Sequence, residues 1–172
     1  LAVCLHAPAG AQPAAATDAP RQPQTAGNDV ERESPPPGSA DPGVASRLEA
    51  RGTPFSVDDD GDYRILVELD DQRSQIVWVR SVVNETDYQR VREIWTYGMR
   101  SEERRIPVHV ANRLLTENFE LVVGAWARDA GNAILVLKID ADADADTLDE
   151  AIDLAASIGD RMEQRLVAGD DL

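Results

Sequence analysis

Cysteine and histidine are scarce in this chain of 172 residues, which has one cysteine, Cys4, and two histidines. A single cysteine excludes an intramolecular disulfide. Zinc needs three or four ligands from cysteine, histidine or carboxylates, and beyond residue 11 only His109 offers an imidazole. The pattern also contains no phosphate-binding glycine loop and no positioned base for a Ser-His-Asp triad. We therefore expect no catalytic residues and no cofactor, with His109 exposed on a helix surface.

Positive charge is the second scarcity, because 17 basic residues face 32 acidic ones and the net charge is −15. Nucleic acids and anionic lipid surfaces are bound by basic patches, so neither is expected as a partner. Long hydrophobic runs are also missing, and the chain has too few consecutive apolar residues for a membrane span. The remaining expected partner class is protein.

Aromatic residues are absent before Phe55, whereas eight of the ten prolines lie in the first 43 residues. Such a composition cannot bury enough apolar surface to offset its ordering entropy, so residues 12–43 are predicted to form a disordered tether. Residues 1–11 resemble the remnant of a secretory signal peptide that ends in the cleavage pattern Ala9–Ala11. We expect a periplasmic or secreted bacterial protein. Lipid anchoring at Cys4 is less favoured, because Val3 replaces the small residue of a lipobox.

Hydrophobic periodicity predicts one α+β domain over residues 44–172. The predicted elements are a helix at 44–51, strands at 55–57, 63–69 and 76–83, helices from Thr86 and from Pro107, strands at 119–126 and 133–139, and a helix from Thr147. The order α-βββ-αα-ββ-α indicates an antiparallel sheet of about five strands flanked by helices on one face. The other sheet face is then solvated or covered by a second copy.

Capping patterns set three of the predicted helix ends. Thr86 with Gln89, and Thr147 with Glu150, have the spacing of capping boxes, so a helix is expected to begin at each threonine. Asn118 is expected as a left-handed C-terminal cap. The last helix is predicted to bury a seam of apolar and small residues, comprising Leu148, Ile152, Ala155, Gly159, Met162 and Leu166.

The stretch from about Phe55 to Leu166 resembles the YbjN-like family, whose members are described as bacterial sensory transduction regulators. The resemblance is carried by four segments: Asp58–Asp62 before an alternating strand, Ala111–Asn118, Gly124–Trp126, and the helix that starts at Thr147 with Glu150. It implies the fold of the type III secretion chaperones, a curved antiparallel sheet flanked by helices. It also implies a regulatory or protein-binding role without catalytic residues.

Four residues are candidates for protein contacts. Trp126 falls on the opposite face from Phe119, Leu121 and Val123, so it is expected to be exposed on the free sheet face as a binding or dimer anchor. Trp78 and Trp95 are instead expected in the core. Arg100, Arg104 and Arg105 lie in a polar connector and are candidates for clamping an acidic partner. A homodimer is one expected arrangement.

Two alternatives stay open beside a non-enzymatic protein-binding or regulatory module. The first is a calcium-binding envelope protein that uses Asp140, Asp142, Asp144 and Asp146, since calcium prefers several oxygen ligands. This ladder fails the EF-hand pattern, because Ala145 and Ala151 occupy the positions that need glycine and a carboxylate. The second is a carboxylate-based enzyme, although no acid stands alone in an apolar setting that would raise its pKa.

Overall fold

The computed structural model describes residues 38–167, so the signal-peptide prediction and most of the tether prediction lie outside the described residues. Nine main elements follow one another. They are α1 (Pro42–Arg51), β1 (Ser56–Val57), β2 (Tyr63–Glu68), β3 (Ser74–Glu85), β4 (Arg90–Met99), α2 (Val108–Glu120), β5 (Ala125–Asp129), β6 (Asn132–Asp140) and α3 (Ala145–Val167). The predicted α+β class is confirmed.

All six strands form one antiparallel sheet in the order β1-β2-β3-β4-β6-β5. The predicted turn at Asp58–Gly61 joins β1 to β2, and Ala130-Gly131 joins β5 to β6. Strand β3 lies inside the sheet, as its β-branched sequence predicts. The sheet has six strands rather than about five.

The core lies between one face of this sheet and the three helices. Helix α3 crosses β3, β4 and β6, and it buries Leu148, Ile152, Ala155 and Met162 almost completely. This is the apolar seam predicted from the sequence, at alternating four- and three-residue steps. Val44 and Leu48 of α1 and Val110 and Leu114 of α2 belong to the same buried cluster.

The predicted helix from Thr86 is wrong, because residues 90–99 form strand β4. Thr86 does accept hydrogen bonds from the backbone N–H groups of Tyr88 and Gln89, at 3.3 and 3.2 Å. These bonds close the turn between β3 and β4 instead of starting a helix. Side chains that resemble a capping box therefore stabilise a hairpin here, since threonine bonds to nearby amides in turns as well as in caps.

Two helix ends also differ from prediction. Helix α2 continues through Asn118 to Glu120 and ends at Leu121 in extended conformation, so the predicted strand at 119–126 is shortened to β5. Helix α3 begins before Thr147. Asp144 is its N-cap, because its carboxylate accepts the Thr147 N–H at 2.8 Å and its carbonyl accepts the Leu148 N–H. This backbone hydrogen bond lowers the pKa of Asp144.

A buried polar network fixes α1 to the sheet. Asp41 caps α1 by accepting the Gly43 N–H at 2.8 Å, and its second oxygen pairs with the guanidinium of Arg92. The hydroxyl of Tyr63 donates to the Asp41 carbonyl at 2.7 Å. Arg92 also donates to the Ser81 carbonyl, inside an irregularity of β3 between Val79 and Val83. One arginine thus stabilises the cap of a helix and the bulge of a strand.

Candidate functional site

Three aromatic residues lie together on the sheet face opposite the helices. Trp78 of β3 is the direct cross-strand partner of Trp95 of β4, and Tyr97 lies two residues further along β4. The rings of Trp78 and Tyr97 meet edge to face, with centroids 5.4 Å apart and an interplanar angle of 89°. No described helix packs on this face, and the three residues are half-buried. We call them the aromatic face.

The prediction that Trp78 and Trp95 lie in the core is therefore wrong. In β4 the residues directed to the core are Arg92, Ile94, Thr96 and Gly98, and the residues between them are directed to the free face. The period-two pattern of β4 was present in the sequence. It was obscured because two buried positions are polar and several outward positions are apolar.

Two arginines stack on the aromatic face. The guanidinium carbon of Arg80 lies 4.2 Å from the Trp95 ring centroid, and that of Arg100 lies 4.3 Å from the Tyr97 centroid. Arg80 is also ion-paired with Asp62 at 2.6 Å. Burial raises the pKa of Asp62, while the Ser81 N–H and Arg80 oppose the rise. The Arg80 side chain is thus held over Trp95 by a buried carboxylate.

A groove of about 390 Å³ runs along this face. Among the described residues, its lining comprises Asp58, Asp60, Asp62, Trp78, Arg80, Trp95, Thr96, Tyr97, Asp129 and Ile134. Four aspartates face one arginine in this set, so the groove combines aromatic walls with a negatively charged rim. Sequence reasoning did not identify it, because the tryptophans were assigned to the core.

Trp126 does not have the predicted exposure, because its side chain is only 6% exposed and belongs to the core. Its ring fills the space beside Gly98, where any side chain would collide with it, and Met162 of α3 lies next to the same glycine. The predicted alternation from Phe119 to Trp126 failed because the first of these residues are helical. Trp126 therefore packs under α2 and α3 and is not accessible to a partner.

The three predicted arginines lie in the connector between β4 and α2, as expected, but they do not form one cluster. Arg100 joins the aromatic face through Tyr97. Arg105 is ion-paired with Glu103 at 2.7 Å. Arg104 is exposed and has a positive φ of 54°, and its carbonyl accepts a hydrogen bond from Arg128.

The aspartate ladder has four separate structural roles. Asp140 accepts the Asp142 N–H at 2.8 Å, and Asp142 is ion-paired with Arg90 at 2.8 Å. Asp144 caps α3, and Asp146 is ion-paired with Arg51 at 2.9 Å. Within residues 38–167, no group of three or more histidine, cysteine or acidic residues is arranged to hold a metal ion. Each carboxylate supports the β6–α3 junction instead.

Helix α2 carries a second exposed apolar surface. Val108 is 76% exposed, Leu115 67%, Phe119 93% and Val122, just beyond the helix, 97%. Within the helix, Val108, Asn112, Leu115 and Phe119 repeat at alternating four- and three-residue steps, so they form one stripe on the side of α2 away from Val110 and Leu114, and Val122, beyond the extended C-cap Leu121, is grouped with it. We call it the α2 stripe. Its spacing was visible in the sequence, but Phe119 had been assigned to a strand.

Asn118 protects the sheet edge between these two surfaces. Strand β5 is an edge strand, and its Trp126 has an outward N–H and C=O that no neighbouring strand satisfies. The Asn118 side-chain oxygen accepts that N–H at 2.6 Å, and its amide nitrogen donates to that carbonyl at 3.2 Å. One side chain thus mimics a neighbouring strand, which prevents pairing with another chain at this point.

Replacing Asn118 by alanine is expected to lower the free energy of unfolding by about 1–3 kcal/mol, because two partly buried backbone groups lose their partners. The exposed edge should also promote aggregation on heating. Chemical denaturation and light scattering would measure the two effects. Asn112→Ala, an exposed position on the same helix, is the matched control and should change stability by less than about 0.5 kcal/mol. Equal stabilities of the two variants would refute the role of Asn118.

Two further expectations concern His109 and a membrane span. His109 is exposed on α2, as predicted. None of the described helices is both long and apolar enough to span a bilayer. The chain matches no protein-family model and no curated protein.

Proposed function

We propose that this domain is a non-enzymatic protein-binding module that acts as a homodimer through α2. The observation that supports the proposal is the α2 stripe, in which Phe119 and Val122 are almost fully exposed. A contiguous apolar surface of this kind on a chain with net charge −15 indicates a protein interface. It supports the expected dimer and moves the expected contact from Trp126 to α2.

The stripe fits a second copy of itself. When two α2 helices cross antiparallel with Leu115 at the two-fold axis, Phe119 of one protomer lies between Asn112 and Val108 of the other.

The size of the stripe is also adequate. Its exposed side chains offer on the order of 600 Å² per protomer, if an aromatic side chain contributes roughly 200 Å² and an aliphatic one somewhat less. A standard interface buries about 800 Å² per partner. The flanking backbone and polar residues of α2 supply the difference.

Light scattering on the 172-residue chain tests this proposal. We expect a mass near twice the 18.7 kDa of one chain, and Phe119→Asp should restore the mass of one chain. The substitution places a charge inside the interface, one helical turn from the two-fold axis, which costs about 2–4 kcal/mol of association free energy.

Tyr88→Asp is the matched control for this experiment. Tyr88 is 95% exposed at the turn between β3 and β4, so the control changes an equally exposed aromatic residue outside the stripe. It should leave the dimer intact. A monomeric unmodified chain, or a dimer that persists in Phe119→Asp, would contradict dimerisation through α2.

The resemblance to the YbjN-like family supports a regulatory use of such a dimer. The calcium-binding and carboxylate-enzyme alternatives gain no comparable support. The aspartates of the ladder are engaged with separate partners, and Asp62 is held by Arg80 and the Ser81 N–H.

A further inference from the structure

We infer that the groove beside the aromatic face binds an extended proline-rich segment that carries a basic side chain. The inference rests on the proposed protein-binding role and names a partner chemistry for a surface other than the α2 stripe. Trp78, Trp95 and Tyr97 supply the walls of the groove, and the described rim supplies carboxylates.

The arrangement of the rings favours proline. Trp78 and Tyr97 are perpendicular, so together they form a corner with one ring face and one ring edge. Proline-rich segments are recognised by aromatic grooves of this kind, because a polyproline II helix is already extended and loses little entropy on binding. The other side of the site is Trp95, which Arg80 keeps in place.

The charge of the groove favours a basic residue in the partner. Asp62 and Arg80 neutralise each other at 2.6 Å. Asp58, Asp60 and Asp129 remain in the described lining, against one further cation, Arg100, which lies over Tyr97. An arginine or lysine beside the prolines can therefore pair with a rim carboxylate while the prolines contact the rings.

The first described residues pack beside Gly61, in the turn that contributes Asp58, Asp60 and Asp62 to the groove lining. Gly61 contacts the backbone of Gly38 and Ser39 so closely that a Cβ atom there would lie 2.7 Å from the Ser39 carbonyl carbon. Residues 35–37, which directly precede Gly38, are all proline. These three prolines have the same chemistry as the proposed partner, so the experiment includes a variant without them.

The test is calorimetric titration of the full chain with a synthetic peptide of six prolines followed by arginine, about 19 Å long in its proline part. We expect saturable binding, and at least about tenfold weaker binding to Trp78→Ala. Asp60 is exposed, and its carboxylate makes no hydrogen bond or ion pair with another described residue. Asp60→Asn therefore tests the rim without disturbing the fold. It should weaken binding about threefold.

Three controls make the result specific. Glu68→Gln, an exposed acid on β2 outside the described lining, should bind like the unmodified chain. A peptide with every second proline replaced by glycine should bind at least about tenfold more weakly, because it loses the polyproline conformation. Replacing Pro35, Pro36 and Pro37 by alanine should leave affinity unchanged or raise it if these residues compete.

The outcomes separate this inference from the dimer proposal. Peptide binding that persists in Phe119→Asp supports the groove even where dimerisation fails. The inference is overturned if neither the unmodified chain nor the triple alanine variant binds the peptide. It is also overturned if the glycine-containing peptide binds equally well, or if both Trp78→Ala and Asp60→Asn bind with unchanged affinity.

Discussion

Replacing Arg92 by alanine is expected to lower the free energy of unfolding by about 3–5 kcal/mol, as measured by chemical denaturation. Arg92 is only 2% exposed and pairs with Asp41. Burial lowers the pKa of Arg92, and the charge of Asp41 opposes this. Removing the guanidinium leaves Asp41 without its cation and the Ser81 carbonyl without a donor. The large expected effect arises from uncompensated buried groups and not from the net strength of the pair.

Arg90→Ala is the matched control for Arg92→Ala. Arg90 lies on the same strand and is ion-paired with Glu85 and Asp142, but both carboxylates are about half exposed. Solvent-exposed pairs contribute little, so this variant should lose less than about 1 kcal/mol. If Arg92→Ala lost no more than Arg90→Ala, the network that joins Asp41 to β3 would not stabilise the fold.

Replacing Trp126 by alanine is expected to cost about 3–5 kcal/mol, since the change leaves a cavity between Gly98 and α3. Trp126→Phe keeps most of the ring and removes an indole nitrogen that has no hydrogen-bond partner among the described residues. We expect this variant to stay within about 1 kcal/mol of the unmodified protein. Thermal and chemical unfolding would compare the two variants.

The same two variants distinguish a buried from an exposed Trp126. If Trp126 is buried, Trp126→Ala lowers the free energy of unfolding and keeps the oligomeric mass of the unmodified chain. An exposed dimer anchor would give the opposite result, a monomer of undiminished stability. That second result would contradict the packing of Trp126 beside Gly98.

The long periodic elements could be predicted from the sequence. Helix α3 has an apolar seam of about five turns, and β6 contains the continuous apolar run Ala133–Leu137. In both elements the local sequence preference agrees with the tertiary contacts. Strand β4 could not be predicted by the same reasoning. Its buried positions include Arg92 and Thr96, whose burial depends on Asp41 and Gln75, residues far away in the chain.

The two candidate surfaces were hidden for related reasons. An exposed aromatic residue and a buried one look alike in a sequence, so Trp126 and the pair Trp78 and Trp95 were assigned to the wrong faces. The positions of Trp78 and Trp95 follow from the register of β3 with β4, and that of Trp126 from the register of β5 with β6. The sequence predicts Asn118 as the C-terminal cap of a helix, but in the structure its side chain protects a strand edge.

The sheet order has a consequence for how the chain folds. Four of the five described strand pairings join consecutive strands, and only β4 with β6 crosses an intervening helix and strand. Consecutive hairpins form quickly, because their loops are short and cost little closure entropy. The pairing of β4 with β6 therefore sets the pace of folding. Helix α3 packs on β3, β4 and β6, so it cannot cover the apolar face of β1–β4 until β6 has paired with β4. During that interval the exposed apolar face makes the chain most prone to aggregation.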